Sequence, residues 1–211
     1  MSDVLKQIAK LKIVPVIALE SASDAAPLAD ALIAGGLPIA EVTFRTAAAP
    51  EAIKTMAKRG DLLVGAGTVL NVDTVKRAID CGASFIVSPG FNPKVVSYCI
   101  ANNIPITPGT ATPSDIEAAL DHGLTTVKFF PAESIGGMKL LRALAAPYNM
   151  MSFLPTGGIT PQNLSEYLRF PSVIACGGSW MVTKELLAAK EFHRITDLSK
   201  EAVRLAHSAR P

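Results

Sequence analysis

The stretch GLTTVKFFPA, residues 123–132, reads as a β-strand buried on both faces, with one residue out of character. Val127, Phe129 and Phe130 are strand formers and Pro131 ends the run. Lys128 sits in the middle, where an ammonium group is costly to withdraw from water. Side chains alternate along a strand, so Thr126, Lys128 and Phe130 share one face and Val127 and Phe129 the other. A strand apolar on both sides belongs to a parallel sheet covered by helices. If Val127 and Phe129 pack against those helices, Lys128 points into whatever the sheet encloses.

Seven other short apolar runs, bounded by Gly and Pro, share this form: KIVPVIAL (from Lys12), AEVTFR (Ala40), LLVGAGTV (Leu62), FIVSPG (Phe85), IPITPG (Ile104), SFLPTGG (Ser152) and VIACGGS (Val173). They begin roughly 20 to 28 residues apart. Helix-like segments lie between them, most clearly SDAAPLADALIAGG, PEAIKTMAKRG, NVDTVKRAIDCG, NPKVVSYCIANN and TPSDIEAALDHG. Ser23, Asn71 and Thr112 are expected N-caps, and Pro113 a first helical residue. Gly35, Gly60, Gly82 and Gly123 fall where a helix ends in a left-handed residue. Eight strand–helix units predict a minimal (β/α)8 TIM barrel; a doubly wound open sheet is the alternative. With no linker or composition break, residues 1–211 are expected to form a single (β/α)8 barrel domain, with an N-terminal helix ahead of the first strand.

Composition narrows the function. The 211 residues are 49% hydrophobic and 18% charged, with a formal net charge of +2. Lys and Arg are scattered, which argues against a nucleic-acid partner. No apolar run approaches the ~18 residues of a membrane span, and the amphipathic start MSDVLKQIAKLKIVPVIALE has no signal-peptide pattern. Cys81, Cys99 and Cys176 lie far apart with no metal-ligand spacing, as expected of buried free thiols in the cytoplasm. His122, His193 and His207 fall outside any strand end and are read as solvated. No zinc set or Ser-His-Asp arrangement is visible.

In such a barrel the site forms at the C-terminal strand ends, and the unusual residues gather there. An amine directed inward has its charged form disfavoured. Lowering a lysine from ~10.4 to ~7.5 takes roughly 4 kcal/mol and leaves an amine able to attack a carbonyl. Phe130, on the same face and nearer the mouth, would keep the amine dry. In AEVTFRT, Glu41, Thr43 and Arg45 share a face; Glu41 and Arg45 are ~13 Å apart along an extended strand. Glu41 would sit deep and could move protons, while Arg45 at the rim could hold a carboxylate. The alternative is a structural Glu–Lys pair, or a lysine whose head reaches water, with an unrelated surface arginine. PTGGIT (155–160) and CGGSW (176–180) follow the last two strands, the usual position of a phosphate cradle. Thr68 in GAGTV and Pro89 in SPG could line the pocket or serve only loop geometry.

GLPIAEVTFRT (from Gly36) and GLTTVKFFPAESIGG (from Gly123) resemble the two defining segments of the class I 2-keto-3-deoxy-6-phosphogluconate aldolases. GAGTVL, SPGFNP, PTGGIT and CGGSW are similar too, in the same order, so the resemblance covers nearly the whole chain. The Arg-Thr after the second strand favours this family over related 2-keto-3-deoxy sugar-acid aldolases. The resemblance implies a (β/α)8 homotrimer that uses no metal or other cofactor. It implies cleavage of the phosphorylated keto acid to pyruvate and glyceraldehyde 3-phosphate, often with action on 4-hydroxy-2-oxoglutarate as well. It assigns Lys128 as the Schiff-base lysine, Glu41 as general acid/base, and Arg45 as carboxylate ligand helped by Thr68 and Pro89. Thr156, Gly157, Gly158, Gly178 and Ser179 match the hydroxyl- and phosphate-binding positions. A non-covalent phosphate-binding barrel isomerase or synthase, or a sugar-phosphate sensor, are the other readings.

Overall fold

Parallel strands alternate with helices throughout the computed structural model, which describes residues 2–209. The strands are β1 (Ile13–Ile17), β2 (Ile39–Thr43), β3 (Leu63–Gly67), β4 (Phe85–Val87), β5 (Ile106–Thr107), β6 (Gly109–Thr110), β7 (Thr126–Phe129), β8 (Ser152–Pro155) and β9 (Cys176–Gly178). One sheet runs β5-β4-β3-β2-β1-β9 and the other β6-β7-β8. β5 and β6 are two parts of one strand, interrupted at Pro108, which has no N–H to give to a ladder. Parallel bridges Phe153↔Val173 and Thr156↔Gly177 join the second sheet to β9. Eight strand positions therefore close into a ring, a (β/α)8 barrel rather than an open sheet.

Alternation along β7 is as the sequence suggests. Val127 and Phe129 are fully buried on one face, and Lys128 on the other enters the barrel cavity. The helix ahead of the first strand, α1 (Asp3–Leu11), sends Ile8 to the floor of that cavity. Asn71 caps α4 (Val72–Asp80) by accepting the Thr74 N–H. Thr112 and Asp115 cap α6 (Pro113–Asp121) reciprocally. No helix among the described residues is long and apolar enough to cross a membrane.

Some local expectations are corrected. Ser23 is not an N-cap: Ser21 takes that role by accepting the Ser23 N–H at 3.3 Å, and a 3₁₀ turn, Ala22–Asp24, precedes α2 (Ala25–Ala34). Gly35 is right-handed at φ −78°, and the left-handed residue is Gly36 at +74°. Gly35 is needed for packing instead. A Cβ there would fall 2.4 Å from Ser199 Cβ, so its absence lets the last helix, α10 (Phe192–Ala209), close on α2. The final strand begins at Cys176 rather than Val173, which forms an isolated bridge to Phe153 outside the strand. His122 is half-buried, edge-on to Phe91 with its Nδ1 2.8 Å from the Ala118 carbonyl; His193 and His207 are exposed.

All three cysteines are unpaired; Cys99 and Cys176 are buried and Cys81 is half-buried. Burial pushes the Cys99 thiol up to about 11 and the Cys176 thiol higher still. Native protein titrated at pH 8 with an aromatic disulfide reagent is expected to react at Cys81 alone, and at all three cysteines once unfolded. Fast native labelling of Cys99 or Cys176 would contradict this packing.

Candidate active site

Glu41 on β2 and Lys128 on β7 meet inside the barrel. They are 4% and 6% exposed, and Lys128 Nζ lies 3.4 Å from Glu41 Oε1. That is long for a hydrogen bond yet within ion-pair reach, so the amine is held without being clamped. Nζ also lies 5.0 Å from the centre of the Phe130 ring, inside the range of a cation–π contact. The backbone fixes the base of the lysine, its N–H donating to the Pro108 carbonyl at 2.9 Å.

Glycines supply the room. A Cβ on Gly67 would come within 2.3 Å of Glu41 Oε1, one on Gly65 within 2.2 Å of the Phe85 ring, and one on Gly177 within 2.4 Å of Thr156 Oγ1. Glycine inside a strand often marks such close approach. The space left beside the pair is about 10 Å³, lined also by Val14, Val87, Thr107 and Leu154, close to the least volume that holds one water. Phe85, Thr107 and the Ile8 floor escaped the sequence reading. Period-two alternation was the available signal for Phe85 and Thr107; nothing local marked Ile8.

Above this lies a second cavity of about 150 Å³, lined by Arg45, Phe130, Thr156, Gly157, Gly158, Gly178 and Ser179 among others. Thr156 and Gly177 line both cavities, so the two lie against each other. Gly157 and Gly158 are left-handed at φ +97° and +78°, in a turn that can present backbone N–H groups to an anion. The Trp180 ring lies across Gly178, where a Cβ would come within 1.9 Å of it. Arg45 is exposed, and its Nε–H donates to Thr43 Oγ1 at 3.0 Å. The Thr43 hydroxyl in turn donates to the Ile17 carbonyl at 2.8 Å.

Thr68 and Pro89 stand apart from the other expected site residues, since they line neither cavity. Both are half-buried, just past the ends of β3 and β4. Thr68 has φ +57°, a conformation costing of order 1–3 kcal/mol for a residue other than glycine and common beside functional sites. The Pro89 carbonyl oxygen would lie only 2.0 Å from a Cβ on Gly109.

A larger cavity, about 540 Å³, lies elsewhere, at the N-terminal ends of β2 and β3 beside Gln7, Lys10, Pro38 and Asp61. It has no buried amine–carboxylate pair, so chemistry outweighs volume in locating the site. Among the described residues no group of three or more His, Cys, Asp or Glu is placed to hold a metal ion.

A buried amine beside a carboxylate is equipped to attack a carbonyl with proton transfer close at hand, and a glycine turn nearby is equipped for an anion. The fold and site together define a lysine-centred (β/α)8 barrel enzyme. The chain belongs to the KDPG and KHG aldolase family, whose model matches residues 4–198. It is 48% identical over 206 residues to the 2-dehydro-3-deoxy-phosphogluconate aldolase of Treponema pallidum, covering 97% of this chain and 98% of that one. It is 44% identical over 192 residues to the KHG/KDPG aldolase of Escherichia coli K12, covering 90% of each. The crystal structure of KDPG aldolase from Legionella pneumophila, with pyruvate captured as a covalent carbinolamine, superposes with a TM-score of 0.92 at 36% identity. That match covers 96% of this chain and 98% of the other.

Gly67→Ala is expected to lower the melting temperature and to move the Glu41 carboxylate away from Lys128, because the added methyl needs the space that the carboxylate holds. A crystal structure of the variant that keeps the 3.4 Å contact would contradict this account of the glycine.

Proposed function

We propose that the chain is a class I aldolase that cleaves 2-keto-3-deoxy-6-phosphogluconate to pyruvate and glyceraldehyde 3-phosphate through a Schiff base on Lys128. It also cleaves 4-hydroxy-2-oxoglutarate to pyruvate and glyoxylate. The observation that carries the reading is the buried Lys128–Glu41 pair, next to the glycine-lined cavity at the rim. Family membership supports the reaction, as does the carbinolamine of the Legionella relative.

The sequence of steps follows from the placement of these groups. Lys128, having passed a proton to Glu41, attacks C2 of the keto acid, and the adduct's nitrogen proton moves to the oxygen to give the carbinolamine. Glu41 protonates the departing hydroxyl, so that water leaves and a protonated imine forms. Glu41, through a water, then takes the proton of the C4 hydroxyl. The C3–C4 bond breaks, its electrons pass into the imine to give an enamine, and the aldehyde departs. Protonation at C3 and hydrolysis release pyruvate and restore the amine. Arg45 holds the substrate carboxylate, with Thr68 and Pro89 shaping that side of the rim. Phe130 shields the amine, and Thr156, Gly157, Gly158, Gly178 and Ser179 take the hydroxyl and phosphate end.

The same reading makes the protein a homotrimer, on the strength of the family resemblance. Light scattering should give three times the chain mass of 22.1 kDa. One continuous set of buried side chains from Ile8 to Ala209 supports a single domain. The unpaired cysteines fit a cytoplasmic location.

Lys128→Met is expected to abolish pyruvate release from either substrate while the far-ultraviolet spectrum and melting transition persist. Glu41→Gln should lower kcat by about 10²–10⁴-fold, the usual contribution of a positioned acid/base. Pyruvate release by Lys128→Met at near wild-type rate would overturn the Schiff-base reading.

A further inference from the structure

Tyr167, on α8 (Leu164–Arg169), lines neither cavity, yet its hydroxyl has a specific partner. The residue is 0% exposed, and its O–H donates to Glu133 Oε1. Filling the core needs only the ring, and phenylalanine would supply that. The phenol stays protonated far above its ordinary range, chiefly through burial and then through the carboxylate beside it.

Glu133 follows the strand that carries Lys128 and braces the glycine turn above the site. Its N–H donates to the Gly157 carbonyl at 3.1 Å, and that of Ala132 to the Thr156 carbonyl at 2.8 Å. The side chain lies across Gly158, where a Cβ would come within 2.6 Å and 2.7 Å of Glu133 Cβ and Cγ. Gly137 closes the other side, since a Cβ there would fall 2.9 Å from Glu133 Oε1 and 3.3 Å from the Tyr167 hydroxyl. From below, Asn163 Nδ2–H donates to the Gly158 carbonyl at 3.0 Å, and Asn163 Oδ1 accepts the Thr160 N–H at 2.8 Å. The turn is thus held by Asn163 on one side and by Glu133 on the other, and Glu133 is held by Tyr167.

Glu133 does not line the rim cavity, and one of its oxygens is engaged by Tyr167. We infer that Tyr167 is a positioning residue for substrate discrimination. Its hydroxyl keeps the Glu133 side chain braced on Gly158, and the braced turn sets how well the enzyme takes a phosphorylated rather than an unphosphorylated aldehyde half. The inference rests on the reading above that the Gly157–Gly158 turn takes the substrate phosphate.

The test is Tyr167→Phe, with Glu133→Ala and Glu133→Gln beside it. Three quantities are measured: KM for the phosphorylated substrate, competitive inhibition by inorganic phosphate, and the concentration dependence of Schiff-base trapping with pyruvate, which has no phosphate end. Tyr167→Phe and Glu133→Ala are expected to raise the first and weaken the second by about five- to tenfold, the effect of one hydrogen bond. Pyruvate trapping and kcat should stay within about twofold of wild type. Glu133→Gln keeps an acceptor for the tyrosine and should keep near wild-type values, since the contact rather than the charge does the positioning.

Unchanged KM and phosphate inhibition in both Tyr167→Phe and Glu133→Ala would overturn the inference. So would a parallel loss of pyruvate trapping, the mark of a merely structural role. If Tyr167→Phe fails to fold, Glu133→Ala, on the exposed side of the contact, decides the matter alone. Wild-type protein that shows neither phosphate inhibition nor preference for the phosphorylated substrate would overturn the phosphate reading itself, and this inference with it.

Discussion

Two groups that prefer water, the Lys128 amine and the Glu41 carboxylate, are enclosed together in the middle of an apolar barrel. Burying either alone costs several kcal/mol, and their attraction offsets that only when the geometry is good. Much of the architecture serves this pair. Strands β2 and β7 are not neighbours in the ring, and only its closure brings their inward faces within reach. Ile8 seals the floor and the Phe130 ring stands over the amine.

The second constraint is space. A barrel of this size is normally filled by its own side chains, and a site inside it exists only where something is left out. Gly65, Gly67 and Gly177 are the omissions. Each cedes its Cβ volume to a neighbour the cavity uses: the Phe85 ring, the Glu41 carboxylate and Thr156. Farther out, left-handed Gly157 and Gly158 shape the turn above the mouth. Glycine therefore has two uses along one path, making room in the strands and turning the backbone at the rim.

The barrel was legible because each strand carries its own signal, a short apolar run ending in Gly or Pro. Lys128 and Glu41 were legible because a charged residue in such a run needs a reason. The rim glycines, Gly157 and Gly158 after β8 and Gly178 at the end of β9, were legible from position alone. Other features depend on tertiary contacts that no local pattern encodes. Gly35 looked like a helix terminator and is there to admit Ser199 from a helix more than 150 residues away. Ser23 looked like a cap, but Ser21 was equally eligible and the 3₁₀ turn decided between them. Thr68 and Pro89 rested on resemblance, and in the structure they stand beside the cavities rather than in their lining. Ile8 lies in an amphipathic helix whose apolar face could have packed anywhere on the barrel.

The central claim is that Lys128 is buried in order to act as an amine. Borohydride reduction in the presence of pyruvate, followed by intact mass and peptide mapping, tests it most directly. The account predicts one stable pyruvate-derived adduct per chain, mapped to Lys128 and absent when pyruvate is omitted. An adduct on another lysine, or none in folded protein saturated with pyruvate, would contradict it and leave Lys128 as only the charge partner of Glu41.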